Sequence, residues 1–279
     1  MQILNLAKKQ LTPKTKLHFH RLKSNDVNSL RTALQEYSDC YLISSLEALA
    51  KSKEGRKILF QNIRKTNIEI KLKEFSDDIV DSNTGKIKFD LNVFKIIFNN
   101  INNQKESFTI GLKELNKYFS IYNKQKNHLV YAMKMAMQKL IEKHPTKKPI
   151  ISRIANPFKM KFEYNKPSNF LRMFTGKEPI IIGESDINFN LKKYKDLVFP
   201  ILEKMGATPK ENYSFVVGTG IKGYTKTKSW HCLVIENVNG KDKIVTVKNK
   251  RSNAKQSMSF DNFLKKFKYI VGYFNENLK

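Results

Sequence analysis

The sequence predicts an α+β fold, helical in its first part and rich in antiparallel strands in its second. Three observations predict it. Apolar residues recur at helical spacing over Leu42, Ile43, Leu46, Leu49 and Ala50, and again over Leu129, Ala132, Met133, Ala136 and Leu140. Pro145, Pro149, Pro157 and Pro167 then interrupt the chain, so 144–169 reads as a connection. Beyond them come short β-type runs, Phe215–Val217, Cys232–Val238 and Ile244–Val247, with Gly and Asn between them.

With 279 residues, 40% hydrophobic and 11% aromatic, the chain can bury a sizeable core, which excludes wholesale disorder. No stretch approaches the run of about 20 apolar residues that spans a bilayer. Met1 to Lys14 is basic but has no continuous apolar segment, so no secretory signal is read there. Two cysteines, Cys40 and Cys232, cannot make a disulfide framework. They fit a reducing compartment or a reactive thiol, hence a cytoplasmic protein or one exported without a signal peptide.

The formal net charge is +27, from 52 basic and 25 acidic residues, but only seven of the basic residues are Arg. Bidentate phosphate and base recognition favours Arg. Neither a recognition motif nor a basic stripe interleaved with aromatics accompanies the lysines. The expectation is salt-dependent attraction of polyanions and acidic partners, not dedicated nucleic-acid recognition.

Residues 1–29 are polar and basic and read as an arm; 30–175 read as a helical lobe and 176–279 as a β-rich one, together one unit. Asp39 is a candidate N-cap for the helix that starts beside it. Gly55 does not stop the pattern cleanly, since Ile58, Leu59 and Ile63 continue it. Ile68, Ile70 and Leu72 alternate with polar residues, as do Ile87 and Phe89 after Asn83-Thr84-Gly85, which reads as a hairpin. His128 to Lys143 is an amphipathic helix with Met133, Met135 and Met137 as core filler. A short helix follows around Asn169–Phe174. Met258–Phe267 reads as helix and Tyr269–Phe274 as a last strand. No internal repeat is visible.

Asn239-Gly240 between two apolar runs is a hairpin signal. With the turn centred on Gly240, Ile235 faces Val245, Leu233 faces Val247 and His231 faces Asn249. These six share one face because side chains alternate, and a bulge would shift the register. An amide opposite an imidazole can fix its tautomer and ring plane, as a catalytic histidine requires. A lone strand histidine is otherwise an ordinary core residue.

Cys40 opens the first helix, where free N–H groups and the dipole stabilise a thiolate. A neighbouring imidazolium would lower its pKa further and give an ion-pair nucleophile. Its main-chain N–H points where an oxyanion forms, and Gln35 is a candidate second donor. The bland alternative is a buried structural thiol. Cys232, inside a strand on the face opposite His231, reads as core packing.

Ser38-Asp39-Cys40-Tyr41-Leu42-Ile43 resembles the segment that opens the catalytic helix of calpain-like cysteine proteases. Tyr131–Leu140, Leu171–Gly176, Phe215–Gly220 with Trp230-His231, Val247-Lys248-Asn249 and Met258–Phe263 are similar to further segments of that family, in the order Cys, His, Asn. The resemblance covers roughly 30 to 275. It implies a papain-like two-lobe core with Cys40 as nucleophile, His231 as base and then acid, Asn249 orienting it, and a polypeptide substrate in the cleft between lobes. The family's oxyanion Gln stands six residues before the Cys and Gln35 stands five, so either the loop is one residue shorter or Gln35 is not the donor. After the catalytic Asn the family has Pro-Trp-Gly, where this chain has Lys250-Arg251-Ser252.

No cofactor is expected. Asp81–Gly85 places its Gly early and lacks the acidic last ligand of an EF-hand, so no calcium-sensing loop is read, while calcium sites within the core stay open. His18 and His20 lack a third ligand at zinc spacing. His128 and His144 bracket their helix and read as surface or capping residues. Two alternatives to peptidase activity follow: the same triad used for deamidation or transamidation, and a degraded peptidase fold serving as a basic binding module. The sequence carries no signal of oligomeric state.

Overall fold

The polar seam that runs down the most buried helix explains how the two halves of the chain are joined. The computed structural model describes residues 19–33, 40–66, 92–100, 102–115, 128–144, 166–183, 191–219 and 231–278. It is a mixed α+β structure with antiparallel sheets. Its strands are β1 (His20–Arg21), β2 (Ile63–Lys65), β3 (Asn92–Asn99), β4 (Lys105–Gly111), β5 (Ile180–Ile182), β6 (Tyr213–Thr219), β7 (His231–Asn239), β8 (Ile244–Lys248), β9 (Lys255–Ser259) and β10 (Tyr269–Phe274). Its helices are α1 (Ser24–Thr32), α2 (Cys40–Lys51), α3 (Lys53–Asn62), α4 (His128–Lys143), α5 (Pro167–Thr175), α6 (Lys195–Gly206) and α7 (Phe260–Lys266).

The first sheet has the order β1-β2-β3-β4 and the second β5-β10-β6-β7-β8-β9. Both faces of the second sheet are covered over its central strands β10, β6 and β7, which is why these read as long apolar runs. Val216, Cys232, Val234, Val271 and Tyr273 face the core shared with α2, α4 and β3. Their neighbours Val217, Leu233, Ile235 and Ile270 face the core under α6 and α7. The first of these cores runs from Leu22 to Leu278 and so crosses the expected boundary at 175/176 without a break.

Several expectations are corrected. The segment read as an arm to residue 29 is folded from His20 onward: β1 pairs with β2, and Val27 and Leu30 are buried. Asp26, in the first turn of α1, accepts from the Lys23 N–H at 2.9 Å and pairs with Lys65 Nζ of β2 at 2.7 Å. The lobe read as helical also carries β2, β3 and β4 of the four-stranded sheet. Finally, the helix read through Gly55 breaks at Ser52, whose Oγ accepts from Gly55 N–H at 3.0 Å and caps α3. A Cβ on Gly55 would collide with the Leu49 carbonyl, so glycine permits the tight join. Similarly, the last expected helix is shorter, since Met258 and Ser259 belong to β9 and Ser259 caps α7. The hairpin expected over Ile68–Phe89 lies outside the described residues.

The β7–β8 hairpin differs in register from the expected one. Val238 pairs with Val245 and Asn239 with Ile244, then Glu236 bulges, after which Ile235 pairs with Val247 and Val234 with Lys248. The loop is longer than Asn-Gly alone suggests because Asn239 Oδ1 accepts from the Asp242 N–H at 3.1 Å, and Lys243 takes a left-handed φ of 51°. The bulge restores an even offset, so residues expected on one face remain on one face.

Candidate active site

Helix α2 is buried from Cys40 to Ala50, yet it carries Cys40, Ser44, Glu47 and Lys51 at spacings of four, three and four. That spacing puts them on one stripe, and the stripe faces the six-stranded sheet. Ser44 Oγ donates to the Cys232 carbonyl at 3.0 Å. Glu47 Oε1 pairs with Lys248 Nζ at 3.0 Å, and Lys51 pairs with Glu236. Passing from Ser44 to Lys51 therefore matches passing from Cys232 to Glu236, so α2 and β7 run in the same direction. Cys40 lies one turn before Ser44, about 6 Å along the helix axis. That is just under two strand residues back from Cys232. The matched rises bring the start of α2, with Cys40, to the end of the sheet at which β7 begins with His231.

Cys40 is 9% exposed, His231 5% and Asn249 7%. His231 Nε2 lies 2.9 Å from Asn249 Oδ1, and the same oxygen accepts from the Arg251 N–H at 2.8 Å. Two donors converging on one oxygen leave it no role but acceptor, so Nε2 carries the ring proton and Nδ1 is the basic nitrogen. Asn249 stands just past β8, where its side chain closes a turn through Arg251 N–H while its own N–H donates to the Ala254 carbonyl at 2.9 Å. In the observed register its neighbour across the ladder is displaced by two residues from the expected pairing with His231. Parity is retained, and the amide spans the diagonal.

Burial pushes the His231 imidazole below its ordinary value; the Asn249 bond opposes this and the Arg251 charge adds to the lowering. The ring is therefore neutral at neutral pH. Thr219 of β6 pairs directly with His231 and is fully buried.

Of the four residues singled out in the sequence, the fold joins His231 to Asn249 and brings the α2 start that bears Cys40 to the same end of the sheet. Gln35 lies outside the described residues, as do Asp39, His18, Trp230 and the 81–85 loop. Cys232 is buried on the α2 face, in the core where the sequence put it. His144 bonds Glu106 at 2.6 Å, and His128 is half-buried at the start of α4 rather than on the surface.

Sequence reasoning missed the charges behind the site. Glu47 and Lys250 are wholly buried and paired with each other, and Lys248 joins them. The available signal was a lone Glu in the middle of an apolar helix. Among the described residues no group of three or more His, Cys, Asp or Glu side chains is placed to hold a metal ion, and no helix is long and apolar enough to cross a membrane. A scan against protein-family models and a search of curated proteins both find no match to this chain.

Proposed function

We propose that this protein is a calpain-like cysteine endopeptidase with a papain-like two-lobe core, using Cys40 as nucleophile, His231 as general base and acid, and Asn249 as the group that orients the imidazole. The observation that carries this reading is the 2.9 Å His231–Asn249 bond at the end of the sheet where the Cys40 helix starts. A buried, tautomer-fixed imidazole and a thiol at a helix start, both at one end of the sheet, are the two groups that thiol catalysis pairs.

His231 Nδ1 takes the Cys40 proton as Sγ attacks the scissile carbonyl carbon. The Cys40 main-chain N–H faces the developing oxyanion. The imidazolium, held through Nε2–H by Asn249 Oδ1, gives its proton to the departing amine, leaving a thioester. Water then attacks the thioester with His231 as base, the carboxylic acid leaves, and the thiol regains its proton. The chain's charge of +27 favours acidic polypeptides as substrates.

Cys40→Ala abolishes peptide cleavage and labelling by iodoacetamide at that position, whereas Cys232→Ala leaves both intact. Retention of activity in Cys40→Ala overturns the assignment. An inert Cys40 together with steeply salt-dependent polyanion binding favours the binding-module alternative. A one-dalton gain or a crosslink in place of chain cleavage favours acyl transfer.

A further inference from the structure

The residues on either side of Asn249 do something that the proposed triad alone does not require. Lys248 and Lys250 both turn toward α2, while Asn249 between them turns toward His231, as alternation along an extended segment dictates. Lys248 Nζ reaches Glu47 Oε1 at 3.0 Å, and Lys250 Nζ reaches Glu47 Oε2. Both ammonium groups also donate to the Arg31 carbonyl, each at 3.1 Å. Arg31 lies in the last turn of α1, the negative end of that helix, where cations are favoured. One carboxylate on the helix of Cys40 and one carbonyl of α1 thus grip the backbone of Asn249 from both sides.

We propose that Glu47 is a positioning residue, which through Lys248 and Lys250 fixes the Asn249 amide relative to the α2 helix that carries Cys40. The inference rests on the cysteine-peptidase reading above and deepens it. Burying a lysine as completely as Lys250, which is 0% exposed, is costly without a partner. Buried ion pairs add little net stability but fix geometry where a specific register is needed. Asn249 stands where β8 ends and a turn begins, and its place is not held by ladder pairing with β7, which stops at Lys248. The clamp supplies that missing restraint.

Lys250→Met is the informative variant, because it keeps the apolar stem and leaves Glu47 paired with Lys248. The expected result is a folded protein in which kcat for a peptide substrate falls about tenfold while KM stays within about twofold, as misplacement of a group acting in the transition state implies. The downfield proton resonance of His231 Nε2–H, in slow exchange in the wild type, broadens or disappears. If Lys250→Met does not fold, Lys248→Met is measured in the same way. A folded variant that keeps both kcat and the Nε2–H resonance overturns the clamp. A wild-type protein with neither peptidase activity nor alkylation of Cys40 overturns the peptidase reading instead, and the proton resonance still judges the clamp independently.

Discussion

Replacing Asn249 with Ala removes one oxygen that serves two N–H donors, at 2.9 Å from His231 Nε2 and 2.8 Å from the Arg251 nitrogen. His231 is 5% exposed, so water does not readily take the vacated place. A hydrogen bond to a neutral imidazole contributes about 1 kcal/mol, whereas one to a charged partner contributes about 1.5–3 kcal/mol. In the proposed mechanism the ring becomes charged only after it has taken the thiol proton, so the transition state loses more than the ground state. The difference, about 0.5–2 kcal/mol, corresponds to about a 2- to 30-fold drop in kcat/KM. The assay is steady-state cleavage of a peptide substrate together with the rate of iodoacetamide labelling of Cys40 across pH. A thermal melt of the same sample separates chemistry from unfolding. Asn249→Asp keeps an acceptor, but its negative charge favours the imidazolium and moves the profile to higher pH. An Asn249→Ala enzyme within twofold of wild type, with an unchanged pH profile, refutes the reasoning.

Three further outcomes are expected. Arg251→Gln removes a cation that lowers the His231 pKa, so the limb of the pH–rate profile set by His231 moves toward alkaline pH, and added salt shrinks the difference between variant and wild type; profiles that superimpose at low salt contradict this. Burial, with Lys65 nearby, holds His128 down at about 4, against 6.5 in the unfolded chain. The unfolded state therefore binds a proton that the folded state does not, and stability falls as pH drops from about 6.5 to 4. The full difference is about 3 kcal/mol, reduced to about 2 by partial exposure, and His128→Leu flattens the acid side of the stability curve measured by urea unfolding. Gly218→Ala would place its Cβ inside the Tyr269 ring. Overpacking of about 1–3 kcal/mol lowers Tm by about 3–10 °C, with partial recovery on adding Tyr269→Leu; an unchanged melt shows that the ring moves aside freely.

Much of the interior was legible because burial writes a strong pattern. Helices α2 and α4 and strands β6, β7, β8 and β10 bury whole faces, and their apolar periodicity survives any error at their ends. The sharing of one face by His231 and Asn249 was legible for a subtler reason: an even slip in register leaves parity untouched, so the Glu236 bulge changed the partners without separating the two side chains. Other features gave no such signal. Pro200 inside α6 breaks the usual mark of a helix, and Ser52 divides α2 from α3 through a single hydroxyl. The segment before residue 29 looked like an arm because Val27 and Leu30 are too few to show a period, yet a carboxylate at Asp26 ties it down. Lys248 and Lys250 were hidden by composition. In a chain so rich in lysine, two that turn inward look like all the others until Glu47 is found between them.

The strand order also sets a timetable for the molecule. Strand β10 is the last strand among the described residues, but it lies between β5 and β6 rather than at a rim. A ribosome that has just released β7 and β8 holds a sheet whose inner place is still vacant, with β6 offering an unpaired edge. Because closing that gap requires residues 269–274, the six-stranded sheet and the core it shares with α2 are completed only after those residues have been made.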